Sequence, residues 1–397
     1  MSTGEHVIEK RLKQLRLANG LSLDGLAARL GGFVTKQALS KYEKGKAKPS
    51  PVVLNKLASA LGVKAASLWV EPAITCSFIA YRKGSGLAKH EQARVEALVC
   101  GMLEERIRLR DLLHEPAKAI LPIKGFHIEA IGDVEGFAKE LRNIWGAGLE
   151  PIASMTGTLE DHSVFVAEIE ANERFDGISA VAYDAGQNLS AAAVVSRRSL
   201  AGERQRLNLA HELAHLILDV PEPINEEKAA FRFAGAFLAP DEILYREVGR
   251  KRAFIQAAEL LLLKKRFGMS LQALIYRLHD LGIISDSHYR QWFMDINRLH
   301  WKKQEPSELP PEQPIWLRKS VMRGVAEGLL TQEDGMKMLG ESMNVKEPVS
   351  LVERRAFMKL PLVDRRKIMA RQAKEVAACY EKDTSWKDLE TGDIVDD

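Results

Sequence analysis

Asn208-Leu209-Ala210-His211-Glu212-Leu213-Ala214-His215-Leu216-Ile217-Leu218 reads His-Glu-x-x-His inside an apolar run of helical spacing. Two histidines four apart on a helix project from one face, one turn apart, which is the reach needed to hold one zinc ion, and the glutamate beside them can activate a water. Positions 209, 210, 213, 214, 216, 217 and 218 are all apolar, so this helix is expected to be mostly buried. Two imidazoles and a carboxylate on a buried helix need polar partners. Protein groups around two core histidines are one answer; a Zn2+ ion is the other, and it makes a metal-dependent hydrolase the first hypothesis.

A two-histidine zinc site needs a third protein ligand, with water in the fourth position if the site is catalytic. The helix stops at Asp219 and Pro221, and Asn225 can cap a new one running to Leu238 before Pro240. Glu226 and Glu227 stand in its first turn, where either can reach the metal and where acids also offset the helix dipole.

Outward from this core the chain divides. Its 397 residues exceed what one hydrophobic core supports, while 46% hydrophobic and 28% charged residues are ordinary for a globular protein. No apolar run approaches a membrane span and the N-terminus lacks a signal-peptide core, so a cytoplasmic protein without membrane contact is expected. Cys76, Cys100 and Cys379 never form a Cys-x-x-Cys pair, which argues against a disulfide framework and against a thiolate zinc site.

The net charge of +3 is unevenly spread: residues 1–70 hold twelve Lys or Arg against four acids, a block suited to a polyanion. Val7, Ile8, Leu12 and Leu15 keep a helical period that Asn19-Gly20 stops; Ser22 caps a second short helix, and Gly31-Gly32 makes a turn. Thr35 caps a third, Lys36-Gln37-Ala38-Leu39-Ser40-Lys41-Tyr42-Glu43, and Pro49 and Pro51 open a fourth through Leu61. Short helix, tight turn and short polar helix is the layout that places its second member in the major groove. Residues 8–69 resemble an XRE-type (lambda repressor-like) helix-turn-helix. That resemblance implies a double-stranded DNA operator as partner, with Lys36, Gln37, Ser40 and Lys41 facing bases or phosphates. A helical interaction module without DNA contact is the other reading.

A second resemblance covers about residues 136–245. Gly202-Glu203-Arg204-Gln205-Arg206, then Leu209 to His215, then Glu227, Ala230, Phe233, Ala234, Phe237, Leu238 and Pro240, with Asp176-Gly177-Ile178-Ser179 upstream, are similar to the ImmA/IrrE family of zinc metallopeptidases. The resemblance implies zinc on His211, His215 and a downstream glutamate, placed at Glu227 with Glu226 as the fallback, and Glu212 as the catalytic proton acceptor. Phe231 departs from the family pattern, which more usually has asparagine there.

The expected fold is mainly α with a small β-sheet: an all-α helix-turn-helix at 1–70, a helical connector at 71–135, an α+β zincin-like metallopeptidase domain at 136–265, a helical module with a Pro-rich arm at 266–345, and an antitoxin-like helical tail at 346–397. Short strands near 164–169, 178–183 and 191–195 predict a small antiparallel sheet. Lys264-Lys265-Arg266 and Arg277 read as a solvated face or as nucleic-acid contacts. Functionally the chain reads as a DNA-binding regulator whose zinc endopeptidase cleaves a regulatory protein, a repressor or itself, in a stress, phage or toxin-antitoxin response. The alternative is an antitoxin or repressor in which the peptidase-like domain is a non-catalytic sensor or scaffold. A toxin or other protein on the C-terminal tail, and a second copy in a homodimer, complete the partners considered.

Overall fold

Four short helices enclose the N-terminal core: α1 (Val7–Ala18), α2 (Leu23–Arg29), α3 (Lys36–Glu43) and α4 (Pro51–Leu61), packed around Leu12, Leu26, Leu39, Leu54 and Leu57. The caps at Ser22 and Thr35 are those the sequence implies, and Ser50 adds a third: they accept from the backbone N–H groups of Gly25, Ala38 and Val53, each satisfying a helix-end donor. A buried ion pair locks the layout. Arg16 donates to both carboxylate oxygens of Glu43, at 2.6 and 2.8 Å, and to the Leu21 carbonyl at 2.7 Å, so α1, the α1–α2 turn and α3 share one guanidinium.

A computed structural model describes residues 7–79, 87–115, 121–302, 304–340, 357–361 and 364–370. Residues 1–335 form one compact unit and 336–397 another. Of the tail expected at 346–397, helix is assigned at 357–359 and 364–370; apart from 360 and 361 the remainder, with Cys379 and Trp386, lies outside the described residues, as does the Gly84-Ser85-Gly86 break.

Residues 71–135, expected as a connector, instead carry working parts of the larger core. β1 (Thr75–Phe78) pairs with a sheet strand, and α5 (Lys89–Leu112) buries Val95, Val99, Leu103 and Ile107. Side chains of that kind are stabilised by about 1.5 to 3 kcal/mol each on full burial, too much for a free-standing spacer to leave in water. α1 also packs on α5, where Arg11 and Glu104 pair at 2.5 Å. β2 (Phe126–His127), α6 (Asp133–Ile144) and α7 (Met155–Asp161) follow.

The sheet comprises β1, β3 (Val164–Ile169), β4 (Gly177–Tyr183) and β5 (Leu189–Arg197) in the order β1-β4-β5-β3. It is mixed rather than antiparallel: β4 runs antiparallel to β1 and β5, but β5 lies parallel to β3. Alternation in the sequence reveals strands and their faces, not their partners. Both faces are covered. Val164, Val166, Val181, Ala192 and Val194 point into the main core, and Phe165, Ala167, Ile178, Ala180 and Val195 meet α5.

Against the first face lies α8 (Gly202–Ile217), the helix carrying the His-Glu-x-x-His stretch, with α9 (Glu226–Leu238) packed on it. Between them, β6 (Leu218–Asp219) pairs in parallel with β2. α10 (Asp241–Val248), α11 (Ala257–Phe267), α12 (Leu271–Asp280) and α13 (Asp286–Arg298) continue the same core through Leu260, Phe267, Leu274, Leu278, Trp292 and Ile296. Packing therefore runs unbroken through residue 265, where the sequence had suggested a new module.

The expected basic face is only half exposed: Lys265 and Arg266 face solvent, whereas Lys264 and Arg277 do not. Lys264 and Arg277 are 1% and 2% exposed. Lys264 bonds Glu203 at 2.5 Å and Glu305 at 2.8 Å, and Arg277 grips Glu135 with both terminal nitrogens. Burial opposes the charge on Lys264, but these two carboxylates outweigh it and hold its pKa above the usual lysine value. The Pro-rich arm lies across the start of α8 as a strap. Gly202 N–H donates to the Leu309 carbonyl, Leu309 N–H to Glu203, and Glu312 N–H to Gln205. Glu312 also pairs with Arg206 and accepts from the Thr156 N–H at 2.7 Å, and Glu305 accepts from the Leu271 N–H, so the strap's acids cap α7 and α12. α14 (Trp316–Ala326) is capped in turn by Glu160, which accepts from the Ile315 and Trp316 N–H groups.

Candidate active site

His211, Glu212 and His215 are held in a helix whose every residue from Leu209 to Ile217 is buried, so helical phase alone puts both imidazoles on the side facing α9. Their Nε2 atoms lie 3.1 Å apart. Glu227, in the first turn of α9, brings one carboxylate oxygen to 3.5 Å from His211 Nε2 and the other to 3.6 Å from His215 Nε2. All three groups offer ligand atoms within 4.8 Å of one another. Ligand bonds of 2.0 to 2.1 Å in a tetrahedral zinc site separate neighbouring ligand atoms by about 3.3 Å, and this cluster is close to that spacing. The residues present therefore fit a divalent metal of the zinc type.

The two acids left open by the sequence take different places. Glu226 faces the far side of His215, its Oε1 at 3.3 Å from Nδ1, and is itself 3.4 Å from the Lys124 ammonium. A proton on His215 Nδ1 thereby finds a carboxylate, which leaves the Nε2 lone pair directed at the cluster. Burial first, and then the adjacent His211, push the His215 pKa down to about 4 against the pull of Glu226 and Glu227, so the ring is neutral, the ligating form, at pH 7. His211 has no such support: its buried Nδ1 has no hydrogen-bond partner, and the Phe231 ring lies 4.3 Å away.

The cluster is open on one side. His211, Glu212 and His215 are 3 to 6% exposed, whereas the Glu227 side chain is 42% exposed. Glu212 sits against the start of β4: a Cβ at Gly177 would stand 3.0 Å from Glu212 Cγ and 3.1 Å from its Oε1. Those distances are tighter than van der Waals contact, so only glycine lets the strand approach the carboxylate without moving it. Asp176 fixes the same corner by pairing with Arg204 at 2.8 Å. Asp176-Gly177 stands in the stretch that carries the family resemblance; the close approach to Glu212 joins residues 35 apart and leaves no local signal.

In the N-terminal module, Thr35 caps α3, and Lys36, Gln37 and Lys41 are exposed along it while Ser40 is half-buried. Leu39 is buried beneath them, and Ala38 and Tyr42 pack on the same core. Lys36 is drawn toward Asp24 at 2.6 Å, and both side chains remain more than half exposed. The loop after α3 adds exposed Lys44, Lys46 and Lys48.

Residues 12–68 match the family model described as helix-turn-helix, and residues 181–279 match the one described as IrrE N-terminal-like domain, of the M78 peptidases. The second match spans α8, α9 and α12, consistent with a core that does not end at 265. No curated protein matches the chain. The chain thus joins an XRE-type helix-turn-helix to an IrrE/ImmA-like M78 peptidase domain, the fusion its sequence resembles.

Proposed function

We propose that the chain is a DNA-binding regulator carrying a zinc-dependent endopeptidase that cleaves a regulatory protein. The observation that carries this reading is the convergence of His211 Nε2, His215 Nε2 and Glu227 beside Glu212 in a cluster open to solvent. His211, His215 and Glu227 hold the metal, and Glu226 orients His215 through Nδ1. When bound, zinc supplies Lewis acidity that makes water a nucleophile near neutral pH and polarises a peptide carbonyl. Glu212 takes the proton from the attacking water and returns it to the departing amine. Gly177 keeps that carboxylate in place, and the buried flank of α8 keeps the site's closed side dry. Three protein ligands with an open position favour catalysis over a purely structural metal, which is usually closed by four.

Lys36, Gln37, Ser40 and Lys41 read an operator from α3, with glutamine able to bond adenine and the lysines guanine or phosphate. Residues 1–70 form the reading module, and the peptidase domain runs from β1 through the strap. The substrate is another regulator or the chain's own DNA-binding module, within the cytoplasm, in the stress, phage or toxin-antitoxin setting that the resemblance implies. No helix among the described residues is long and apolar enough to cross a membrane.

The test is Glu212→Gln. Zinc content and DNA binding stay at wild-type level, cleavage falls by roughly 10²- to 10⁴-fold, and an uncleaved regulator accumulates in cells. If every regulatory output survives the substitution, the domain is a metal-holding sensor or scaffold instead.

A further inference from the structure

Beside the metal cluster lies a cleft of about 640 Å3 bounded by α8, α9, α12 and α13. Phe231 belongs to both places. Its ring packs on His211 at 4.3 Å and also forms part of the cleft wall, where it is 41% exposed. Whatever enters the cleft is therefore one ring's thickness from a metal ligand. Tyr276, Phe293 and Trp301 supply further aromatic surface, and Ala273 and Met269 the smooth apolar surface between them.

Many charged residues also line this space, but most are already engaged with one another. Arg204 is paired with Asp176 at 2.8 Å, Arg232 with Asp280 at 3.2 Å and Arg277 with Glu135, while Glu203 and Glu305 share the buried ammonium of Lys264. Lys228, Lys302 and Glu308 add charges of both signs at the margin. Inside that margin, a charged guest would lose its hydration and gain a counter-ion only by breaking one of these pairs. A large uncharged side chain displaces water from aromatic faces and breaks nothing.

We propose that this cleft is the specificity pocket of the peptidase, taking an aromatic or long aliphatic side chain from the residue adjoining the scissile peptide bond. This rests on the peptidase reading above and adds the class of sequence that is cut. The shared ring explains the placement: a side chain resting on the far face of Phe231 leaves its own backbone carbonyl beside the cluster that holds His211.

The experiment measures binding separately from cleavage. Zinc-loaded Glu212→Gln protein is titrated with acetylated octapeptides of alanine carrying one variable residue, Phe, Leu, Ala, Asp or Lys. The Phe and Leu peptides bind about tenfold more tightly than the Asp and Lys peptides. Adding Tyr276→Ala, at a half-exposed position, weakens the Phe peptide about fivefold, leaves the Ala peptide unchanged and leaves zinc content intact. Ala273→Trp, which fills the cleft, has the same selective effect and guards against a chance result at Tyr276. Equal binding of Phe and Asp peptides, no binding by any of them, or a preference indifferent to both substitutions overturns the pocket. Peptides that bind with the expected preference but are never cut by the wild-type protein break the peptidase reading alone; peptides cut without preference break the pocket alone.

Discussion

The two ends of α8 treat charge in opposite ways. At its start, Glu203, Arg206 and Gln205 are neutralised or bonded by Lys264, Glu312 and the strap backbone. One to two turns later, the Nε2 atoms of His211 and His215 point with the Glu227 carboxylate at a common centre. A buried cluster of the first kind is complete as it stands, and breaking it exposes a buried charge. A cluster of the second kind is made for a cation. The same helix therefore has one end that fixes its position and another that uses the position.

The largest expected effect tests the fixed end. Lys264→Met leaves Glu203 and Glu305 facing each other without a cation and destabilises the fold by about 3 to 5 kcal/mol, read by denaturant unfolding of the full chain. A loss below about 1 kcal/mol would mean that the strap carries the anchoring without its ion pairs. Next comes Gly177→Ala, whose methyl group pushes on Glu212: kcat/KM falls roughly ten- to a hundredfold while zinc affinity stays within about twofold. Parallel losses in both quantities would place Gly177 in the support of the metal rather than of the carboxylate.

What the sequence conveys follows from distance along the chain. His211 and His215 are four apart, so helical geometry makes them neighbours before any tertiary contact forms, and Ser22, Thr35 and Asn225 cap within three residues of themselves. Glu226 and Glu227 could not be told apart because their roles depend on how α9 is rotated against α8. The short β1 has no periodicity to show, and its place in the sheet is set by β4, a hundred residues on. Lys264 and Arg277 look like solvated cations until Glu203, Glu305 and Glu135 arrive from far along the chain. The strap reads only as an extended arm or a linker because prolines report an extended backbone and say nothing of what that backbone lies against.

Smaller effects sharpen the open end. Glu226→Gln removes the carboxylate behind His215 and weakens zinc about tenfold by competition with a chromophoric chelator, with little change in unfolding. An unchanged affinity would leave Glu226 as a partner for Lys124 only. The smallest change concerns DNA. Lys41→Ala lowers the salt slope of operator binding by about one without altering sequence preference, whereas Gln37→Ala relaxes the preference at one base pair. Binding that ignores both substitutions would make the module a protein-interaction domain.

Gly202, the first residue of α8, is where the helix meets the strap. A Cβ at this position would overlap the carbonyl oxygen of Pro310, which is backbone and cannot swing aside as a side chain does. Replacement by any other residue therefore strains the seat of the strap on α8 and loosens the hold of Glu305 and Glu312 on the helix ends they cap. In a genetic screen, codon 202 is a place to find temperature-sensitive alleles: at low temperature the latch holds and the metal site is intact, and on warming a single misplaced methyl group releases the latch while every ligand and acid of the site remains encoded.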